Sequence, residues 1–514
     1  KDGVLSGTPT KAGESSFVVK ATNPAGYLCQ LQVIVSVKPL PSWLVGESRA
    51  MMYEEALADD GMDEGDTPFA VPGGLLELSV TSAGKASAKL QTESGKASLV
   101  PTLEWYPGAT AGDDGMYMLY YEKETKSTYT CLQVLLLDEG YEVWYGEASG
   151  NSSRVLSGNL VLSDAGLLAD ASFKDNFCNK YYTVVLTPGE QEVDGFQTPT
   201  WLMAPGYLTV KTDKKGVAKV SGKLSDGQAI SASATLLPID GEIAQLYLFV
   251  TPSAYKKTGF YATVLDVCAD GSIGFERGDW KTPSVMPAVP GGFDADPPGF
   301  LSMSAEGRLY GSVASLEGYY MMLQADMPES GLSLEYNYKD ADKQTQYEYA
   351  SAVDLGGLIG SLELIGKNNG SISVPPSKKI WKDSEGFYNY WETKEDKYGN
   401  IEPILNPAEA SISFAKATGV FSGKFKAYFD YAVPKYDRSG EETGSTRQHK
   451  AVSIPYAGVV LNDTDENGNF TIPVQGMAAG QYTQTLTLQW EDDKGKTKTK
   501  TYKMTTAIGV NLAF

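Results

Sequence analysis

Histidine is almost absent from this chain: one residue, His449, in 514. A Ser-His-Asp or Cys-His mechanism would have to run through it. Arg447-Gln448-His449-Lys450 follows a Gly/Ser/Glu-rich stretch and reads as a solvated loop. Cysteine is scarce as well. Cys29, Cys131, Cys178 and Cys268 form no C-x-x-C pair and have no neighbouring histidine, so a zinc or haem site has no ligand cluster to build on. One or two disulfides are open to these four; buried thiols acting as small hydrophobes are the simpler reading. Cations are outnumbered, 43 Lys+Arg against 64 Asp+Glu, for a formal net charge of −21. Such a surface repels phosphate backbones and argues against nucleic-acid partners. Apolar runs such as Val134–Leu137 and Leu246–Val250 are far too short to span a bilayer, so no membrane span is expected. No signal-peptide pattern is seen where the sequence opens, Lys1-Asp2-Gly3-Val4. Neither G-x-x-x-x-G-K-[ST] nor a helix-opening G-x-G-x-x-G occurs, so nothing points to a nucleotide.

Helical periodicity is the other thing in short supply. Only Ser48–Ala58 lets a helix compete with a strand. Period two dominates instead. Ala218, Val220, Gly222 and Leu224 alternate with Lys219, Ser221 and Lys223; Phe421, Gly423, Phe425, Ala427 and Phe429 alternate with Ser422, Lys424, Lys426 and Tyr428; Leu486, Leu488 and Trp490 alternate with Thr485, Thr487 and Gln489. That pattern belongs to strands with one face on a core and one in water. Gly-containing turns recur at Ala83-Gly84, Asp226-Gly227, Asp270-Gly271, Asn467-Gly468 and Lys494-Gly495. The expected fold class is all-β, with antiparallel modules built as barrels or sandwiches.

Internal repeats divide the chain. Leu75–Leu90, Tyr207–Leu224 and Ser411–Phe425 each read as strand, Gly turn, and a second strand ending small-Lys-large: Ala88-Lys89-Leu90, Gly222-Lys223-Leu224, Gly423-Lys424-Phe425. The small residue allows close approach of a neighbouring backbone. Val155–Leu160 has a counterpart in Arg308–Val313, and Tyr181-Tyr182-Thr183 in Tyr319-Tyr320-Met321. Pro and Gly gather near Pro39, Pro188 and Pro328. The expected layout is a partial domain at 1–40 and β modules at 41–190, 191–327 and 328–514, the last with an insertion around Lys378–Asn400.

Gly3-Val4-Leu5-Ser6-Gly7-Thr8-Pro9-Thr10, Phe17-Val18-Val19, Ala21-Thr22-Asn23 and the strand Leu31–Val37 carry a family resemblance. The first 38 residues resemble the C-terminal half of the bacterial Ig-like domain of cell-surface and secreted proteins. Leu40–Gly46 and the Ser-Ala-Gly-Lys-Ala-Ser-Ala-Lys-Leu stretch resemble a β-repeat of large bacterial surface proteins, with Ala88 where Gly is usual. The resemblance implies an extracellular or cell-surface location and a modular, stalk-like or adhesive protein. It carries no catalytic residue over.

Two motifs bear chemistry. Asp463-Thr464-Asp465-Glu466-Asn467-Gly468 matches the opening of a calcium loop, whose oxygen ligands at alternate positions converge on one cation; calcium would sit on Asp463, Asp465 and Asn467. Val474 stands where an EF-hand needs Glu, and an Asn-Gly hairpin turn explains the same residues. No other cofactor is implied, and the acidic run Asp59–Asp66 reads as a solvated loop. The insertion gathers Trp381, Phe387, Tyr388, Tyr390, Trp391 and Tyr398. Exposed aromatic faces stack on sugar C–H faces, so Trp381, Tyr388, Tyr390 and Trp391 are the expected glycan contacts. An aromatic core face is the competing reading: on a strand over Gly386–Glu392, Phe387, Asn389 and Trp391 face one way, Tyr388 and Tyr390 the other. A two-carboxylate glycosidase needs no histidine, yet it needs one large scaffold, and this chain is divided into repeats. The expectation is a non-enzymatic extracellular stalk and binding unit, with a glycan or another surface protein as partner and self-association open. The alternatives are a structural component of an envelope or filament, and the accessory region of a larger secreted hydrolase.

Overall fold

The computed structural model describes residues 12–37, 39–54, 70–106, 116–137, 140–150, 152–163, 166–286, 295–313, 315–328, 331–355, 359–464, 470–491 and 494–514. Strand accounts for 62 % of the described residues and helix for 4 %, so the chain is all-β. Its antiparallel sheets form tandem β modules, including a half-barrel and a nearly closed barrel-like sheet. The described part of Ser48–Ala58 is strand, within the extended Gly46–Glu54; residues 55–58 lie outside the described residues. Two compact units emerge, Lys1–Ala169 with Leu237–Asp240, and Asp170–Leu236 with Gly241–Phe514.

The first unit begins with a hairpin, Gly13–Thr22 against Leu28–Val37, in register from Gly13↔Val37 to Thr22↔Leu28. Asn23 closes it: Oδ1 accepts the N–H of Ala25 (3.0 Å) and of Tyr27 (2.9 Å). Phe17, Val19, Leu31 and Val33 share one face. Phe17 and Leu31 are exposed, and no other described strand pairs with the hairpin. The main sheet then starts at Gly46–Glu54. That strand pairs with Pro72–Val80 on one side and with the late strand Ser152–Asn159 on the other. From there the chain meanders outward both ways, ending at Gly95–Leu99 and Thr102–Tyr106. The buried core beneath includes Met52, Leu76, Leu90, Leu132, Val134 and Leu156.

Inside the second unit the same wiring appears twice. Tyr181–Gly189 pairs with Gly206–Thr212 and with the late strand Gly299–Leu309. Tyr320–Ala325 pairs with Leu362–Gly366 and with the final strand Thr497–Ala513. In each sheet, as in the first unit's, the first strand pairs with the last. Tyr181–Gly189, placed by its Pro-Gly at the end of the first module, is therefore the opening strand of the second sheet. It pairs with Gly206–Thr212 only as far as Leu186, so Pro188 sits where that edge is already open. The two sequence matches fall at equivalent places: Tyr181-Tyr182 and Tyr319-Tyr320 at opening strands, Val155–Leu160 and Arg308–Val313 at closing ones. The third hairpin, Ser411–Ala415 with Val420–Tyr436, does not. It lies on the far edge of its sheet, four strands away from the opening strand's partner, whereas Pro72–Val80 and Gly206–Thr212 are direct partners of theirs. Turn chemistry specifies a hairpin, not its position in a sheet.

The second and third sheets are fastened by hydrogen bonds. Thr183 Oγ1 donates to the Val460 carbonyl (2.8 Å), and Tyr310 OH to the Lys416 carbonyl (2.8 Å). The one α-helix among the described residues, Ala171–Phe177, is capped by Asp170, which accepts the Ser172 N–H (2.7 Å), and it buries Phe173 and Phe177. All four cysteines are free; only Cys178 is buried, and Cys29 is exposed. No described helix is long and apolar enough to cross a membrane.

Candidate ligand-binding site

The third sheet is interrupted between Ile372–Ser373 and Ser411–Ala415, and residues 374–410 occupy the interval. The platform they lie on is a long hairpin, Val420–Tyr436 against Glu442–Thr464. Its turn follows from Asp437-Arg438-Ser439-Gly440: Asp437 Oδ1 accepts the N–H of Ser439 (2.8 Å) and Glu441 (3.0 Å), and Gly440 takes φ +86°. The register sets Asp430 opposite His449 and Ala432 opposite Arg447. Strand alternation then puts Tyr428, Asp430, Arg447 and His449 on one face, and Phe425, Ala427 and Phe429 on the core face.

His449 is thus a strand residue, which corrects its reading as a solvated loop. Its side chain is only 16 % exposed. Nδ1 donates to Asp430 Oδ1 at 2.6 Å. The imidazole stacks on Tyr388, centroids 4.0 Å apart, with Tyr428 on it at 5.5 Å. Tyr390 OH donates to Asp430 Oδ2 (2.9 Å) and lies 3.1 Å from His449 Nδ1. Burial first, and the Asp430 bond second, push the Tyr390 phenol well above its ordinary pKa. Burial does the same to Tyr428, whose hydroxyl donates to Glu409 Oε1 (3.2 Å) beside the Lys426–Glu409 ion pair (2.6 Å).

The four expected contact residues separate. Tyr390, 3 % exposed, is core, and Tyr388 is held half-buried against His449. Trp391 is 49 % exposed; Trp381 is half-buried, its indole Nε1–H donating to the Glu392 carbonyl (2.8 Å). Phe387 and Tyr398 are also exposed. Only Trp381–Lys382 and Tyr388–Asn389 pair as strand. A tight turn joins them: Asp383 Oδ1 accepts the N–H of Glu385 (3.0 Å) and Phe387 (2.7 Å), and Gly386 takes φ +94°. Arg447 reaches over this turn, its guanidinium carbon 3.5 Å from the Phe387 ring centroid, while Lys382 Nζ lies 5.6 Å from that of Tyr388.

Asp430, His449, Arg447 and Lys382 were not among the expected site residues. A signal for the hairpin was present: Arg447, His449 and Ala451 alternate with Gln448 and Lys450 on the far side of an Asp-x-x-Gly turn. For the calcium reading, Asp465, Asn467 and the side chain of Asp463 lie outside the described residues, as does Asp59–Asp66. Among the described residues, no three His, Cys, Asp or Glu side chains are grouped so as to hold a metal ion.

Compared with known proteins, the chain matches no family model and no curated protein.

Proposed function

We propose that the chain is a non-enzymatic extracellular stalk and binding protein whose third module takes a glycan on its aromatic segment. The observation that carries this reading is the split among the aromatics. Tyr388 and Tyr390 tie the segment to the long hairpin through His449 and Asp430, while Trp391 stands about half exposed next to Glu392, whose carbonyl accepts the Trp381 indole N–H. An exposed indole held by a buried anchor presents a flat apolar face with little conformational freedom left to lose on binding. The Ig-like resemblance of the first 38 residues supports the extracellular location, and tandem modules suit a stalk. The glycan contacts are then Trp391 and Trp381, with Tyr388 and Tyr390 as the positioning residues behind them. A glycan array probed with the whole chain tests this. Binding that Trp391→Ala and Trp381→Ala abolish, with an unchanged melting temperature for Trp391→Ala, supports it. An array with no binding glycan, or binding untouched by either substitution, overturns it.

A further inference from the structure

The segment holds a second feature that ring stacking leaves unused. Lys382 and Arg447 converge on the turn at Gly386: a methyl group placed there would lie 3.3 Å from Lys382 Cε and 3.6 Å from Arg447 Cδ. Each cation lies over an aromatic ring, Lys382 over Tyr388 and Arg447 over Phe387. Neither makes an ion pair with any described carboxylate. Asp383 caps its own turn, and Asp430 holds His449 and Tyr390. Other ion-paired cations in the module, Lys378 with Glu402 and Lys426 with Glu409, have carboxylates to meet them. In a chain of net charge −21, two cations side by side on ring faces with no ion-pair partner make a local positive spot that an anion can answer.

We propose that Lys382 and Arg447 form an anion cradle, and that the glycan of this site is an acidic one whose carboxylate the cradle takes. This inference rests on the glycan reading and names its substrate class. With its flat side against Phe387, the guanidinium keeps its edge N–H groups free to grip a carboxylate in two parallel hydrogen bonds. Lys382 supplies a second, non-directional charge. Gly386 keeps the space between them open, and its φ of +94° makes any other residue there strained. Trp381, which precedes Lys382 on the same short strand, and Trp391 meet the C–H face of a neighbouring sugar.

The test is titration calorimetry of the whole chain against polygalacturonate, alginate and hyaluronan, each beside its methyl-esterified form, with neutral glucan and mannan added. The expected result is binding of at least one acidic polymer, about tenfold or more weaker for its ester and for Arg447→Gln with Lys382→Gln. Affinity should also fall as salt is raised. Circular dichroism and melting temperature of the double variant establish that it folds. Equal binding of an acidic polymer and its ester, neutral polymers alone binding, or full binding by the double variant overturns the cradle and leaves the glycan reading standing. Binding of no polymer, acidic or neutral, overturns both.

Discussion

The second and third sheets share one wiring, and they differ most where each sheet fails to close. In the second, the strand order ends at Ala229–Thr235 on one side and at Leu237–Pro238 on the other, with only Leu236 between them in sequence. In the third, residues 374–410 fill the corresponding break and fold back onto the long hairpin. A break in a strand order, like a hairpin turn, can accept extra chain without the loss of a ladder hydrogen bond. The same frame therefore supports a plain module and one with a displayed segment. What separates them is whether the water-facing side of a strand stays in water.

The sharpest way to break this comparison is to remove the anchor. Tyr390→Ala takes a buried ring away from Tyr428 and a hydroxyl away from Asp430. It should cost about 3–5 kcal/mol in denaturant unfolding of the third module, whereas Trp391→Ala should stay within about 0.5 kcal/mol. Equal effects would mean that the segment is not pinned where the structure puts it.

Close backbone approach gives the next effect. A Cβ at Gly222 would run into the Tyr207 carbonyl, and one at Gly423 into the Ser411 carbonyl and the Tyr456 hydroxyl. Gly222→Ala and Gly423→Ala should each destabilise by about 1–3 kcal/mol. Ala88, in the same sequence pattern in the first sheet, is tolerated and buried. Thermal scans in which both variants match the parent would remove the packing reason for these glycines.

Proton linkage contrasts two kinds of aspartate. Burial raises Asp226 to about 6, against the hydrogen bond it accepts from Tyr255 OH (2.6 Å). Its protonated form is the one the fold prefers. The contribution is fully present below the ordinary Asp pKa and is lost as pH rises through about 6. The loss between pH 4 and 7 should be on the order of 2 kcal/mol, and Asp226→Asn should flatten it. A pH profile that is the same in the variant and the parent would refute this.

Turn aspartates work the other way and more weakly. Asp437, Asp213 and Asp396 are held below their usual pKa, Asp437 chiefly by the Ser439 side chain and the other two chiefly by backbone N–H groups. Their contribution exists above the ordinary Asp range and fades as pH falls through it. Asp437→Ala should thus lower the melting temperature at pH 7 slightly and leave it unchanged at pH 2. A larger loss at pH 2 than at pH 7 would reverse the assignment.

Much of this was legible in the sequence. Alternation at 218–224 and 421–429 gave strands with the correct face inward: Ala218, Val220, Leu224, Phe421, Phe425 and Phe429 are all buried. Turns such as Asp437-Arg438-Ser439-Gly440 carry their own geometry, because the capping carboxylate and the left-handed glycine lie within five residues. Even the orientation of the aromatics followed parity, with Tyr388 and Tyr390 inward and Phe387 and Trp391 outward.

Tyr428 marks the limit. Sequence puts it with Lys424 and Lys426 on the solvent side of its strand, yet it is fully buried. What covers it is the non-periodic stretch 374–410, and contacts made across long separations leave no period to read. The pairing of first strand with last, the meeting of Asp430 with Tyr390, and the placement of Lys382 beside Arg447 belong to the same class. The sequence by itself determined the all-β class, the strand faces and the turns, because each depends on residues a few positions apart. Only the tertiary structure decided which surfaces stay open, because that depends on which distant segment lies down on which face.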